Sequence, residues 1–318
     1  MGKLIGGLLI VCILALCSIF VGVSDVTPSR LWALDPYAWN VFWATRIPRT
    51  AALILVGVAM TISGTIMQLL ARNRFVEPST AGTVDSASLG ILTVLLLAPD
   101  LPVILKAAVA ALFALIGTLI FMAILRRIPL RSALLVPLVG IMLGGVIGSI
   151  STFFAYKHDK IQSLQAWMSG DFSSVMQGQY ELLWIAAPLV LLAYIAADRF
   201  TVAGLGEDFT TNLGVNYRRI VMMGLIIVAM TTALVVVTVG QIPFLGLIVP
   251  NIVALFIGDN MRRAVPWVAL LGASAVLSCD IMSRLINYPF EIPISTILGV
   301  VGSGIFLFLL LRKGNRFA

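Results

Sequence analysis

The chain has 318 residues, 60% of them hydrophobic and 11% charged, with a net charge of +7 and a mean hydropathy of +1.07. Soluble globular chains carry roughly 25% charged residues, so an ordinary cytosolic enzyme is excluded, as is a disordered chain. The 21 Lys and Arg lie scattered among apolar runs and form no phosphate footprint, so nucleic acid is not a partner.

The apolar residues come in runs of about 20, enough to cross a hydrocarbon core of about 30 Å at about 1.5 Å per residue. Ten such stretches follow one another: Leu4–Val23, Ala51–Leu70, Ala81–Ala98, Val103–Leu125, Ala133–Tyr156, Leu182–Ala197, Ile220–Val239, Phe244–Ile257, Val265–Met282 and Ile292–Leu311. The first is longer than the apolar region of a signal peptide and has no small-x-small cleavage site, so it reads as a helix. The third is diluted by Gly82, Thr83, Asp85, Ser86 and Ser88, and the eighth is short and interrupted by Pro250. The sequence therefore predicts an all-α polytopic membrane protein of ten spans, a single domain over residues 1–318. The longest loops, Ser24–Thr50 and Lys157–Glu181, are too short for a soluble domain.

Charge sets the orientation. With the N-terminus inside, only Arg30, Arg46, Arg49, Lys106, Lys157, Lys160 and Arg284 of the 21 basic residues fall outside. The rest, including Arg72, Arg74, Arg131, Arg218, Arg262, Arg312 and Arg316, fall inside, as cytoplasmic loops require. Both termini are then cytoplasmic, and the +7 balance has a topological explanation.

Chemistry for catalysis is sparse. No GxxxxGK[ST] loop, HExxH or GxSxG occurs. Cys12, Cys17 and Cys279 lie in apolar runs without a CxxC pair, and His158 is the one histidine, so no metal site and no cofactor is expected. Ionisable residues within the membrane are where function is first sought, and these are Asp85, Asp280, Arg284 and Glu291. Asp280 and Arg284 stand four apart on one helix face, either as a structural ion pair or as part of a proton relay. Gly140, Gly144 and Gly148 recur at spacing four, either for close helix packing or to leave room along a pathway. The stretch Gly206-Glu207-Asp208-Phe209-Thr210-Thr211-Asn212-Leu213-Gly214 predicts a short cytoplasmic helix, with Phe209 and Leu213 on one face and Gly214 as its stop. It is either a docking element or an interfacial linker.

Several runs resemble the FecCD-type permeases, the membrane subunits of ABC importers for iron–siderophore, haem and cobalamin. They are Arg46-Ile47-Pro48-Arg49, Gly57, Ser63-Gly64, Gln68, Arg72-Asn73 and Pro78; then Gly240-Gln241-Ile242-Pro243-Phe244-Leu245-Gly246-Leu247-Ile248-Val249-Pro250; and Asp280, Arg284, Glu291-Ile292-Pro293, Gly299 and Gly302. Two departures stand out. Asn251 replaces the usual histidine, and Arg74-Phe75-Val76-Glu77 replaces the usual Pro-Leu-Ala. The run from Phe75 resembles the branch for catecholate-type siderophores such as petrobactin, anguibactin and enterobactin. The resemblance implies a second permease subunit, identical or paralogous, two cytoplasmic ATPases, an extracytoplasmic solute-binding protein and a ferric siderophore as cargo, in a bacterial cytoplasmic membrane. It makes residues 203–215 the coupling loop to the ATPase, through Gly206, Glu207, Asp208, Phe209, Leu213 and Gly214. Arg46, Arg49 and Arg284 become docking points for the binding protein, where headgroup anchoring is the alternative. Gln68 and Asn73, with Gly140, Gly144 and Gly148, fall on the pathway or gate. The competing function is an ion-coupled secondary transporter using Asp85 and Asp280.

Overall fold

The computed structural model describes residues 2–23, 26–127 and 135–313. Arg131, Arg316 and the start of the fifth apolar stretch lie outside the described residues. Among those described there are fifteen α-helices. They are α1 (Gly2–Phe20), α2 (Pro28–Trp32), α3 (Pro36–Val41), α4 (Ile47–Leu70), α5 (Thr83–Leu97), α6 (Val103–Arg127), α7 (Leu135–Lys157), α8 (Ile161–Trp167), α9 (Ala186–Ile195), α10 (Ala197–Ala203), α11 (Glu207–Asn212), α12 (Tyr217–Val239), α13 (Leu245–Ile257), α14 (Met261–Ile286) and α15 (Ile294–Lys313).

Each of the ten apolar stretches falls on a helix, but they are not equivalent. Six helices are long and apolar enough to cross a membrane: α1, the continuous run Pro36–Leu70 that includes α4, α6, α7, α12 and α14. Helices α5 and α13 and the run Ile294–Phe308 of α15 are shorter, and Glu181–Ile195 is bent by 62° against α10. That bend lies where the chain passes from the apolar run ending at Ile195 to Asp198 and Arg199, the first charges after it. Among the described residues, length and composition alone thus mark six of the ten stretches as clear spans, or seven if the bent pair is one span.

The prolines illustrate how local chemistry is completed by tertiary contacts. Pro48 has no N–H and its ring crowds the carbonyl four residues back. The helix opens into a π turn over Phe42–Arg46, and the Ala44 carbonyl accepts instead from the Gln177 amide at 2.9 Å. Pro250 likewise deprives the Gly246 carbonyl of a partner, yet α13 runs on through it, because Gln68 Nε2 donates to that carbonyl at 3.3 Å. The expected interruption at Pro250 is therefore not a break.

Helix α4 is the centre of the bundle. Two of its glycines, seven residues and so about two turns apart, share one face. A Cβ on Gly57 would stand 2.6 Å from the Gly272 carbonyl of α14, and one on Gly64 would run into the Gly246 carbonyl of α13. The missing side chains let backbones touch, which is the common packing solution where lipid removes the hydrophobic drive between helices. Thr61, Ser63 and Thr65, all buried, satisfy themselves on this helix and its neighbours; Ser63 meets Thr231 of α12 at 2.5 Å. Helix α1, by contrast, presents Ile5, Leu8, Leu9, Ile13 and Leu16 outward, each more than half exposed.

Candidate functional site

The ends of α4 define two separate polar regions. At its N-terminal end, Arg49 places Nε and Nη2 on Asp280 Oδ1 at 3.0 and 2.8 Å and Nη1 on Glu291 Oε2 at 2.8 Å. Arg284 bonds the other oxygen of Asp280 through Nη2, and Ser18 Oγ donates to that oxygen at 3.1 Å. The Arg284 guanidinium also donates to the Ser18 carbonyl at 2.9 Å and to the Val21 carbonyl. Arg46 reaches the same Val21 carbonyl, and Gly22 gives it room, since a Cβ there would collide with the guanidinium. These arginines thus close carbonyls in the last turn of α1 and just past its end, where helix geometry leaves acceptors unpaired and the dipole favours cations.

The cluster is dry. Asp280 and Arg284 are 0% and 2% exposed and Arg46 7%. The Arg49 side chain is 11% exposed and that of Glu291, the most open member, 26%. Three guanidinium groups face two carboxylates, leaving one net positive charge. The structure brings the expected Arg46, Arg49 and Arg284 together with Asp280, but turned inward. Ser18 and Glu291 complete a network that the Asp280–Arg284 spacing alone did not disclose. With Asp280 gripped by Arg49, Arg284 and Ser18, no oxygen is left for a carried ion. Asp85, the other acid of the secondary-transporter reading, lies in the first turn of α5, where a carboxylate complements the helix dipole, and rests against Gly144.

At the opposite end of α4 lie the starts of α11, α12 and α14. Asn216 and Asn260 cap α12 and α14 by accepting from Arg219 and Arg263 amides at 3.1 Å. Helix α11 is held by Thr210, which is fully buried and donates to the carbonyls of Gly206 and Val202 at 2.6 and 3.1 Å. Its C-terminus closes with Gly214 at φ +75°, the Gly214 amide on the Thr211 carbonyl and the Val215 amide on that of Thr210, a Schellman arrangement. Glu207 and Asp208 occupy the first turn, where acids suit the dipole. Phe209 and Leu213, 51% and 56% exposed, have no core to enter.

Gln68 and Asn73 line a cavity of about 420 Å³ beside this end, together with Arg72, Arg74 and Asp259. Gly140 and Gly144 pack against Thr80, Ala81 and Gly82, and Gly148 faces Asp85 more loosely, so the glycine stripe seats α7 on α5. The two departures from the familiar motif touch one another: Asn251 Nδ2 donates to the Arg74 carbonyl at 2.7 Å. Glu77, buried between α4 and α13, had no role in the sequence reading, because a carboxylate in a turn with Arg72, Asn73, Arg74, Ser79 and Thr80 gives no local sign of burial. Among the described residues no group of three His, Cys, Asp or Glu side chains converges on a metal position.

The chain matches the FecCD transport family over residues 8–312. It belongs to that family. It is 50% identical over 305 residues to a petrobactin import system permease protein of Bacillus subtilis, covering 96% of each chain. It is 45% identical over 306 residues to a petrobactin import system permease protein of Bacillus anthracis, covering 96% of this chain and 90% of that one. The fold is that of a putative metal-chelate type ABC transporter captured in an inward-facing conformation, with a TM-score of 0.82 and 22% identity over 98% of this chain and 99% of that one.

Proposed function

We propose that this chain is the membrane-spanning permease subunit of an ATP-driven ABC importer that carries a ferric siderophore of the catecholate type into a bacterial cytoplasm. The observation that carries the reading is the 50% identity with a petrobactin permease along 96% of both chains. The whole chain is then one transmembrane domain in the cytoplasmic membrane, crossing ten times with both termini inside, and residues 203–215 form its coupling loop. The separation of the arginine cluster from α11 by the length of α4 supports this two-sided layout. A second permease, identical or paralogous, completes the translocation unit. ATP hydrolysis belongs to two cytoplasmic ATPases, which α11 meets through Phe209 and Leu213.

At the outer end, Arg46, Arg49 and Arg284 serve the solute-binding protein. Glu291, the more open of the two carboxylates on Arg49, is the one that an acidic side chain of the binding protein displaces, since a guanidinium fork accepts one carboxylate in place of another. Gln68 and Asn73 form the inner gate, and Gly140, Gly144 and Gly148 hold the pathway wall. The test is uptake of ferric petrobactin into proteoliposomes holding the permease with its ATPase and binding protein. Vanadate should abolish uptake and a proton ionophore should not. Loss of uptake with the ionophore in ATP-loaded vesicles, with vanadate inert, would return the chain to ion-coupled transport.

A further inference from the structure

Residues 71–82, between α4 and α5, do more than turn. They run along α13 from its C-terminal to its N-terminal end and are tied at both. Beyond the C-terminus of α13, Arg74 holds Asp259 through both carboxylate oxygens at 2.9 and 2.7 Å. Within the helix, Asn251 donates to the carbonyls of Arg74 and Leu247, each at 2.7 Å. At the N-terminus, Glu77 Oε1 accepts from the Phe244 amide at 3.0 Å.

The last tie is unusual in its cost. Glu77 is 1% exposed, and the Gly246 and Leu247 amides are aimed at its carboxylate, though no hydrogen bond of good geometry reaches its Oε2. That oxygen faces Gly246, where a Cβ would stand 3.1 Å from it. The first amides of any helix need acceptors, and the dipole there favours an anion. A Ser, Asp or Asn at position 244 would supply one locally. Position 244 instead carries Phe in a left-handed conformation with no side-chain cap, and the acceptor is brought from the 71–82 turn. Ser79 Oγ donates to Glu77 Oε1 at 2.5 Å and holds it in place, and Thr80 Oγ1 accepts from the Glu77 amide at 2.9 Å. Such an arrangement joins two elements, which a local cap cannot do. The same turn begins at Arg72, whose guanidinium lies against Gly206 at the start of α11.

We infer that Glu77 is a positioning residue for transport, locking residues 71–82 to the N-terminus of α13 so that a displacement of α11, felt at Arg72, moves α13 instead of being absorbed by the turn. This rests on the importer reading above. The contacts form a continuous physical connection, and coupling through it is what has to be measured.

Two measurements on Glu77→Gln, which keeps size but sets an NH₂ group against amide donors, test it separately. In the permease alone, hydrogen exchange should quicken together in residues 71–82 and at Phe244–Leu247, with α12 unchanged. Quickening confined to the turn, or absent, overturns the lock whatever the protein transports. In the assembled transporter with ferric petrobactin as probe, ATP hydrolysis should stay near the wild-type rate while chelate carried per ATP falls about tenfold, the scale of ordinary inter-site coupling. Fewer assembled complexes with an unchanged chelate-to-ATP ratio would make Glu77 a structural cap only and overturn the inference. If Glu77→Gln does not assemble, Glu77→Asp, which keeps the charge but shortens the reach, is read by the same ratio. Wild type without ATP-dependent uptake would instead defeat the importer reading, with the exchange result still deciding the lock.

Discussion

Replacing Asp280 with asparagine takes one charge from a site where Arg49 donates twice at 3.0 and 2.8 Å and Arg284 and Ser18 once each. Side chains of Asp280, Arg284 and Arg49 are 0%, 1% and 11% exposed, so water cannot take over the lost role. Removing one partner of such a buried pair costs about 3–5 kcal/mol, because the remaining cation stays desolvated. Asp280→Asn should therefore lower the folded-to-unfolded ratio by two orders of magnitude or more, at about 1.4 kcal/mol per tenfold. Arg284→Gln should be nearly as harmful. The double variant should fall short of the summed loss by about 0.5–3 kcal/mol, the interaction range for groups in one network. The assay is unfolding of the purified permease in mixed micelles by SDS titration, followed by tryptophan fluorescence. Arg262→Ala provides the contrast. It breaks an ion pair with Asp198 whose side chains are 49% and 59% exposed, and it should cost no more than about 1 kcal/mol. Additivity of Asp280→Asn and Arg284→Gln within about 0.3–0.5 kcal/mol would refute the cluster as a cooperative unit.

Gly64→Ala drives a methyl group into the Gly246 carbonyl and should destabilise by about 1–3 kcal/mol, whereas Gly145→Ala, with nothing within 4 Å, should be neutral in the same titration; equal effects would contradict the close crossing. Phe209→Asp on the exposed face of α11 should release the ATPase in co-purification while the permease stays folded, since each buried anchor is worth roughly 1.5–3 kcal/mol; retention at wild-type stoichiometry makes α11 a linker. Glu291→Gln should free Arg49 Nη1 for an incoming carboxylate and speed binding-protein association at low salt, with the gain fading as salt screens the field. An unchanged association rate leaves Glu291 outside docking.

Much of the fold was legible because its signals are local. Apolar runs predicted helices at all ten places, and Gly214 marked the end of α11, since a terminator in the left-handed region can be read from one residue type. The Asp280–Arg284 pair was legible for the same reason, as four residues bring two side chains onto one helix face. What those runs could not convey was how many are full spans, because length in sequence does not separate a straight crossing from α13 or from the bent pair at Ala196.

The rest was decided by tertiary structure. That Arg49 belongs to Asp280 and Glu291, 231 and 242 residues away, depends on α4 and α14 approaching at Gly57 and Gly272, and no periodicity in either segment contains that distance. The sequence marked three arginines near one face of the membrane; only the packing turned them inward, where the buried Asp280 carboxylate has to be paired and the end of α1 supplies carbonyl acceptors. Glu77 follows the same rule. Its residue type was visible, but the acceptor-poor start of α13 that it serves comes near it only when Gly64 and Gly246 let two backbones touch.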